Sequence, residues 1–136
     1  MSCRACVAAI AGLLLASCAP KFEGSGKLHA GGDELHPSLC RVLVQATGIE
    51  LSDDFGSKLK VTIPPARIEA FREITGPASI SYDGRGGHSV APSCGTLSLR
   101  GQGYHGGGRR AASGKLSLSC SGPPAVAGDF EFEGCF

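Results

Sequence analysis

The chain has 136 residues, a formal charge of +1, seven cysteines, 21 glycines and no tryptophan. That length is one domain's worth, able to bury about two thirds of its unfolded surface in one core. The balanced charge carries no strong basic excess that would point to nucleic acid, and an aromatic content of 6% weakens the case for a sugar-stacking or base-stacking platform.

At the amino end, Ala5 to Ala16 is apolar, with Arg4 before it and Pro20, Lys21 and Glu23 close behind. About a dozen residues are too few for a spanning helix, which needs roughly 20. This is the length of a secretory signal. An ordinary cut after Ala19 would use Ser17 and Ala19 as its small residues, but leaves Pro20 just past the scissile bond, where its ring and missing donor fit poorly. The ordinary secreted protein remains the alternative.

Leu15, Ala16, Ser17 and Cys18 resemble the lipobox of bacterial lipoprotein precursors, with Ser17 where Gly or Ala is commoner. The resemblance covers about the first twenty residues. It implies a signal peptide at 1–17, cleavage between Ser17 and Cys18, and a diacylglyceryl group on the Cys18 thiol. Each buried methylene of the acyl chains contributes about 0.8 kcal/mol, so two or three chains anchor the protein stably. Ala19 stands where similar lipoproteins retained at the inner membrane carry Asp, which points to the outer membrane. Without Arg4 the remainder holds 12 basic and 12 acidic residues, a net charge of zero. We expect residues 18–26 to form the lipidated end and tether, and residues 27–136 a single β domain.

Glycine is spread between short apolar alternations, the composition of many strands joined by turns. A first strand is expected at Lys27 to Ala30, followed by a turn at Gly31 and Gly32. His29, Asp33, Glu34 and His36 around that turn are residue types that bind metals, but their spacing fits no closed motif. CRVLVQA, from Cys40, alternates as a strand, although Leu35, Leu39 and Leu43 also fit a helix; Val42, Val44, Thr47 and Ile49 favour the strand. Asp53 and Asp54 carry a turn signal and lack the alternate acids of a calcium loop. KLKVTI, from Lys58, puts Leu59, Val61 and Ile63 on one face. Ile68, Phe71 and Ile74 recur at threes after Pro64 and Pro65, so one short helix near 65–75 competes with strand.

The last third carries three similar segments, GTLSLRG from Gly95, GKLSLSC from Gly114 and VAGDFEFEG from Val126, read as a three-stranded antiparallel meander. Burying their Leu and Phe residues on one face suggests Leu97 opposite Leu118, Leu99 opposite Leu116, and Leu118 opposite Phe130. The intervening stretch, residues 101–113, is expected to be a long hairpin loop. Its GQGYHG matches GxGxxG by letter only: no helix start follows and no acid stands about 20 residues on. Tyr104, His105, Arg109 and Arg110 make it a candidate interaction loop, since Arg forms bidentate contacts with phosphates and carboxylates.

Four cysteines remain after Cys3, Cys6 and Cys18 are set aside: Cys40, Cys94, Cys120 and Cys135. In an oxidising compartment they form two disulfides in one of three connectivities. The expected register puts Gly95 beside Cys120 and Cys135 near Ser113, about 23 Å apart along the meander. That distance disfavours Cys120 with Cys135, because disulfide Cα atoms lie within about 7 Å. Cys94 with Cys120 and Cys40 with Cys135 is preferred; a loop or bulge between Pro92 and Gly95 would turn Cys94 to the right side. No close pair supports zinc.

Catalysis has little support. No GxSxG elbow occurs, and nothing in the sequence sets His29, His36, His88 or His105 beside a nucleophile. Glu69, Glu73, Glu131 and Glu133 alternate with apolar residues, as on the solvated face of a sheet. The expectation is an all-β fold, an antiparallel β-sandwich or small barrel, with no enzymatic activity, no metal and no cofactor. It is held to the membrane by its anchor, takes an envelope protein or glycan as partner, and does not bind nucleic acid. A lipid or metabolite carrier with a barrel cavity is the alternative, and an envelope hydrolase a more distant one.

Overall fold

A computed structural model describes residues 21–106 and 109–136, and the side chains of 21–103 and 111–136. All regular structure in it is strand. In chain order these are β1 (Glu23–Ala30), β2 (Asp33–Leu35), β3 (Leu39–Val42), β4 (Thr47–Ser52), β5 (Lys58–Ile63), β6 (Glu73–Pro77), β7 (Ser79–Gly84), β8 (Gly87–Ala91), β9 (Gly95–Gly106), β10 (Arg109–Cys120) and β11 (Val126–Cys135). They form a six-stranded sheet, β2-β1-β11-β10-β9-β6, and a five-stranded sheet, β3-β4-β5-β7-β8, with every strand pair antiparallel. The two sheets pack face to face as a sandwich, not as a closed barrel.

Period-two burial explains the packing. Leu28, Leu97, Leu99, Leu116, Leu118, Phe130 and Phe132 line the inner face of the larger sheet; Ile49, Leu51, Leu59, Val61, Ile80 and Tyr82 line that of the smaller. Over most of the strand length their neighbours point to water, as on a half-buried antiparallel sheet. The sheets are stitched at two corners. Ala78 bends the chain from β6 in one sheet to β7 in the other, its N–H donating to Gly95 O at 2.8 Å. Phe136, just past β11, accepts the Val42 N–H at 2.6 Å and so ties β11 to β3.

The expected helix near 65–75 does not form. Residues 64–72 cross irregularly between the sheets, held by an Ala70–Gly101 bridge, and Glu73–Pro77 is strand. Ile74 lies opposite Leu99 and joins the core from a strand, where spacing by threes has no meaning. CRVLVQA is strand only to Val42; Val44 lies in the turn that leads to β4. The first strand starts at Glu23, so residues 23–26, expected in the tether, pair with Phe130 to Glu133. Residues 101–113 are not an open loop either, because β9 runs to Gly106 and β10 resumes at Arg109.

The meander exists, with its register two residues from expectation: Leu97 lies opposite Leu116, and Leu116 opposite Phe130. A slip of two keeps every side chain on its face, so alternation alone could not reveal it. The position is set by glycines. Gly24 and Gly114 flank Phe132, and the rings of Phe130 and Phe132 lie where their Cβ atoms would be. Aromatic rings thus cover backbone that has no side chain of its own.

Tyr82 is fully buried, and its hydroxyl donates to Arg85 O at 2.6 Å, while the Arg85 N–H donates to Ser57 Oγ at 3.1 Å. Tyr82→Phe leaves the ring in place and strips the Arg85 carbonyl of that donor. Urea denaturation should then show a loss of about 1 kcal/mol; an unchanged midpoint would mean that water replaces the bond.

Candidate binding surfaces

Both outer faces carry polar rows that run across the strands. On the larger sheet, Ser25, Glu131, Lys115, Ser98 and Thr75 stand side by side on consecutive strands. Lys115 Nζ lies 3.5 Å from Glu131 Oε1, and the Thr75 and Ser98 hydroxyls are 2.8 Å apart. The next row toward the amino end brings Glu23 opposite Glu133, and Ser113, Arg100 and Glu73 together. Between the rows runs an open groove of about 400 Å³, whose charged lining is Glu23, Glu73, Glu131, Glu133, Arg100 and Lys115. The smaller sheet repeats the pattern with Arg41, Glu50 and Lys60. Opposite charges placed directly across strands support each pair by about 0.2–1 kcal/mol.

The groove is a water-exposed surface of carboxylates, cations and hydroxyls. Glu73, Glu131 and Glu133, candidates for carboxylate chemistry by residue type, are thus brought to one face, while Glu69 is held instead by Arg72 at 3.0 Å. The described histidines His29, His36 and His88 lie outside the groove lining. The arrangement offers hydrogen bonds to a polar partner and no hydroxyl–imidazole pair. Arg100 and Glu23 escaped the sequence reading because only cross-strand register puts them together.

The disulfides are Cys40–Cys135 and Cys94–Cys120, with Cα separations of 4.8 and 4.9 Å. Cys94 lies outside the strands, after Ser93 with φ of 46°, so the expected break in alternation exists and brings its sulfur to Cys120. His29, Asp33, Glu34 and His36 flank the β1–β2 turn, with His36 Nε2 at 3.2 Å from Glu34 Oε2. Among the described residues no three His, Cys, Asp or Glu side chains converge as metal ligands. Asp53 caps its own turn by accepting the N–H groups of Phe55 and Ser57, and Asp54 accepts the Ser38 hydroxyl.

Ser17 and Cys18 lie outside the described residues. The backbone register sets His105 opposite Arg110 and Gly106 opposite Arg109 at the tip of the β9–β10 ribbon, while the side chains of Tyr104, His105, Arg109 and Arg110 lie outside the described residues.

Among the described residues the smaller sheet ends in an unpaired edge at β8. The two-residue loop Arg85–Gly86 makes Gly84 and Gly87 the hydrogen-bonded closing pair. Hydrogen-bonded pairs alternate in an antiparallel ladder. His88 and Val90 therefore turn their backbone N–H and C=O groups away from β7 to the open side, and the Val90 side chain is 68% exposed. The stretch SISYDGRGGHSVA carries alternation and a glycine turn, which is the signal for this hairpin. Comparison with known proteins brings no family model, no curated protein and no solved structure that matches the chain.

Proposed function

We propose that this is a lipid-anchored cell-envelope lipoprotein of the outer membrane, whose β domain is a non-catalytic binding or structural module. The β8 edge is the observation that carries the module reading. Free backbone donors and acceptors on a sheet edge, without an internal Lys or Pro to block them, accept an added strand from an extended partner. Two disulfides that close the sandwich fit an oxidising compartment. The lipobox residues Leu15 to Cys18 supply the anchor, and the polar groove offers an envelope protein or glycan a second contact. A small pocket near Tyr82 and Leu51 measures about 10 Å³, room for one water.

The anchor is tested by the intact mass of the protein from membranes, before and after reduction. A chain starting at acylated Cys18 that gains four hydrogens supports it, and an unacylated start elsewhere rejects it. The edge is tested by Val90→Pro, which removes a donor that faces away from β7 and so leaves the native ladder intact. The variant should keep its melting temperature within a few degrees and lose the envelope cross-links that wild type forms from β8. Cross-linking equal to wild type would rule out strand addition there.

A further inference from the structure

Strand β1 begins at Glu23, five residues beyond Cys18, and five residues span at most about 17 Å when fully extended. If Cys18 carries the acyl chains, on which this inference rests, the domain cannot stand far off the bilayer. The end of the domain around Lys21 and Phe22 then meets the headgroups.

Contacts define that end. The Lys21 backbone lies against Gly134, and Gly134 donates its N–H to Gln102 Oε1 at 3.0 Å. Beside Gln102, Gly101 O accepts the Phe71 N–H at 2.6 Å, and the Phe71 ring covers Gly103. On the other flank Phe136 holds Val42, which leads into the turn bearing Val44. Phe71 and Val44 are 63% and 71% exposed. Single exposed apolar residues are ordinary, but these two flank the point where the chain leaves toward its anchor.

Phe71 adds a second observation. Its φ is 59°, a left-handed conformation that a bulky residue rarely adopts, and its ring lies over Gly103 while the residue stays 63% exposed. The β9–β10 ribbon reaches the same end, and neither strand contains an acidic residue while together they carry Arg100, Arg109, Arg110 and Lys115. Lys21 is exposed there too. Glu23, Glu73 and Glu133 offset much of this charge, so apolar insertion, with the cations beside it, makes the contact.

The opposite end differs. Ala30 closes β1 about 23 Å away, next to Gly86 of the β7–β8 turn, where the Asp33 carboxylate also lies. Its ring, Phe55, is 66% exposed and has the Arg85 guanidinium over one face at 4.4 Å from the centroid, a cation that already occupies it.

We infer that the end bearing Phe71 and Val44 is a lipid-contacting surface, seated in the headgroup–acyl boundary of the membrane that holds Cys18. An interfacial apolar group sits about 5–10 Å into that boundary. The chain contains no tryptophan, so Phe71→Trp, Val44→Trp and Phe55→Trp each create a single fluorescent reporter. The lipidated variants, purified from membranes, are reconstituted in phosphatidylglycerol–phosphatidylcholine vesicles with brominated acyl chains. Emission from positions 71 and 44 should fall at least twofold against unbrominated vesicles and shift to the blue, with position 55 unchanged. Val44→Trp keeps the test decisive should Phe71→Trp not fold. Protein that floats with the vesicles and carries the acyl mass, yet shows equal quenching at all three positions, overturns the inference and leaves the anchor standing. Protein without acyl mass that does not float overturns the anchor and this surface with it.

Discussion

Replacing both Cys40 and Cys135 by alanine should cost about 4.7 kcal/mol, the loop-closure estimate for a bridge across 95 residues. The bridge across 26 residues between Cys94 and Cys120 should be worth about 3.5 kcal/mol on the same estimate. The difference has a structural side as well. Cys40–Cys135 joins β3 of one sheet to the end of β11 in the other, next to the Phe136–Val42 hydrogen bond. Cys94–Cys120 reinforces a corner already held by the Ser119 N–H on Cys94 O and the Cys94 N–H on Ala78 O, each at 2.8 Å. Urea titrations of the two double variants measure this. A larger loss for the Cys94 and Cys120 pair would show that loop length does not govern stability here. Such losses are a large share of a small domain's total stability of about 5–15 kcal/mol, so the Cys40 and Cys135 variant should be largely unfolded at 37 °C.

Phe132→Ala should cost about 3–5 kcal/mol, the range for truncating a buried aromatic. Phe132 is 3% exposed, stacks on Phe130 at 6.5 Å between centroids, and stands between Gly24 and Gly114. With two glycines as its cross-strand neighbours, neither flanking strand has a side chain at that position to fill the space that the ring leaves. Glu131→Ala, one residue away on the solvated face, should stay within about 0.5 kcal/mol of wild type. Thermal unfolding of the two variants side by side tests the assignment of faces. Comparable losses would mean that β11 does not present alternate sides to core and water.

How much of this was legible before the structure depends on the range of the interaction. Leu59, Val61 and Ile63, or Leu97 and Leu99, announce their strands because burial on one face repeats every second residue. The disulfide pairing was reached by excluding Cys120 with Cys135, and that exclusion survived a register two residues off, because the two cysteines stay at opposite ends of β11. Residues 65–75 misled for the same local reason. Ile68, Phe71 and Ile74 bury to different degrees from an irregular crossing, so their spacing carried no helical meaning.

What the sequence determined by itself is therefore local: an all-β chain, its inner-facing residues, the turns at Gly31–Gly32 and Asp53–Gly56, and four cysteines for two bridges. Tertiary structure alone decided the sandwich over a barrel, the register that carries Gly24 and Gly114 to Phe132, and the gathering of Glu23, Glu73, Glu131, Glu133, Arg100 and Lys115 on one face. It also decided that β8 ends its sheet as an edge strand. The physical reason is that alternation specifies which side of a strand is buried, while the partner strand and its offset depend on contacts between residues tens of positions apart.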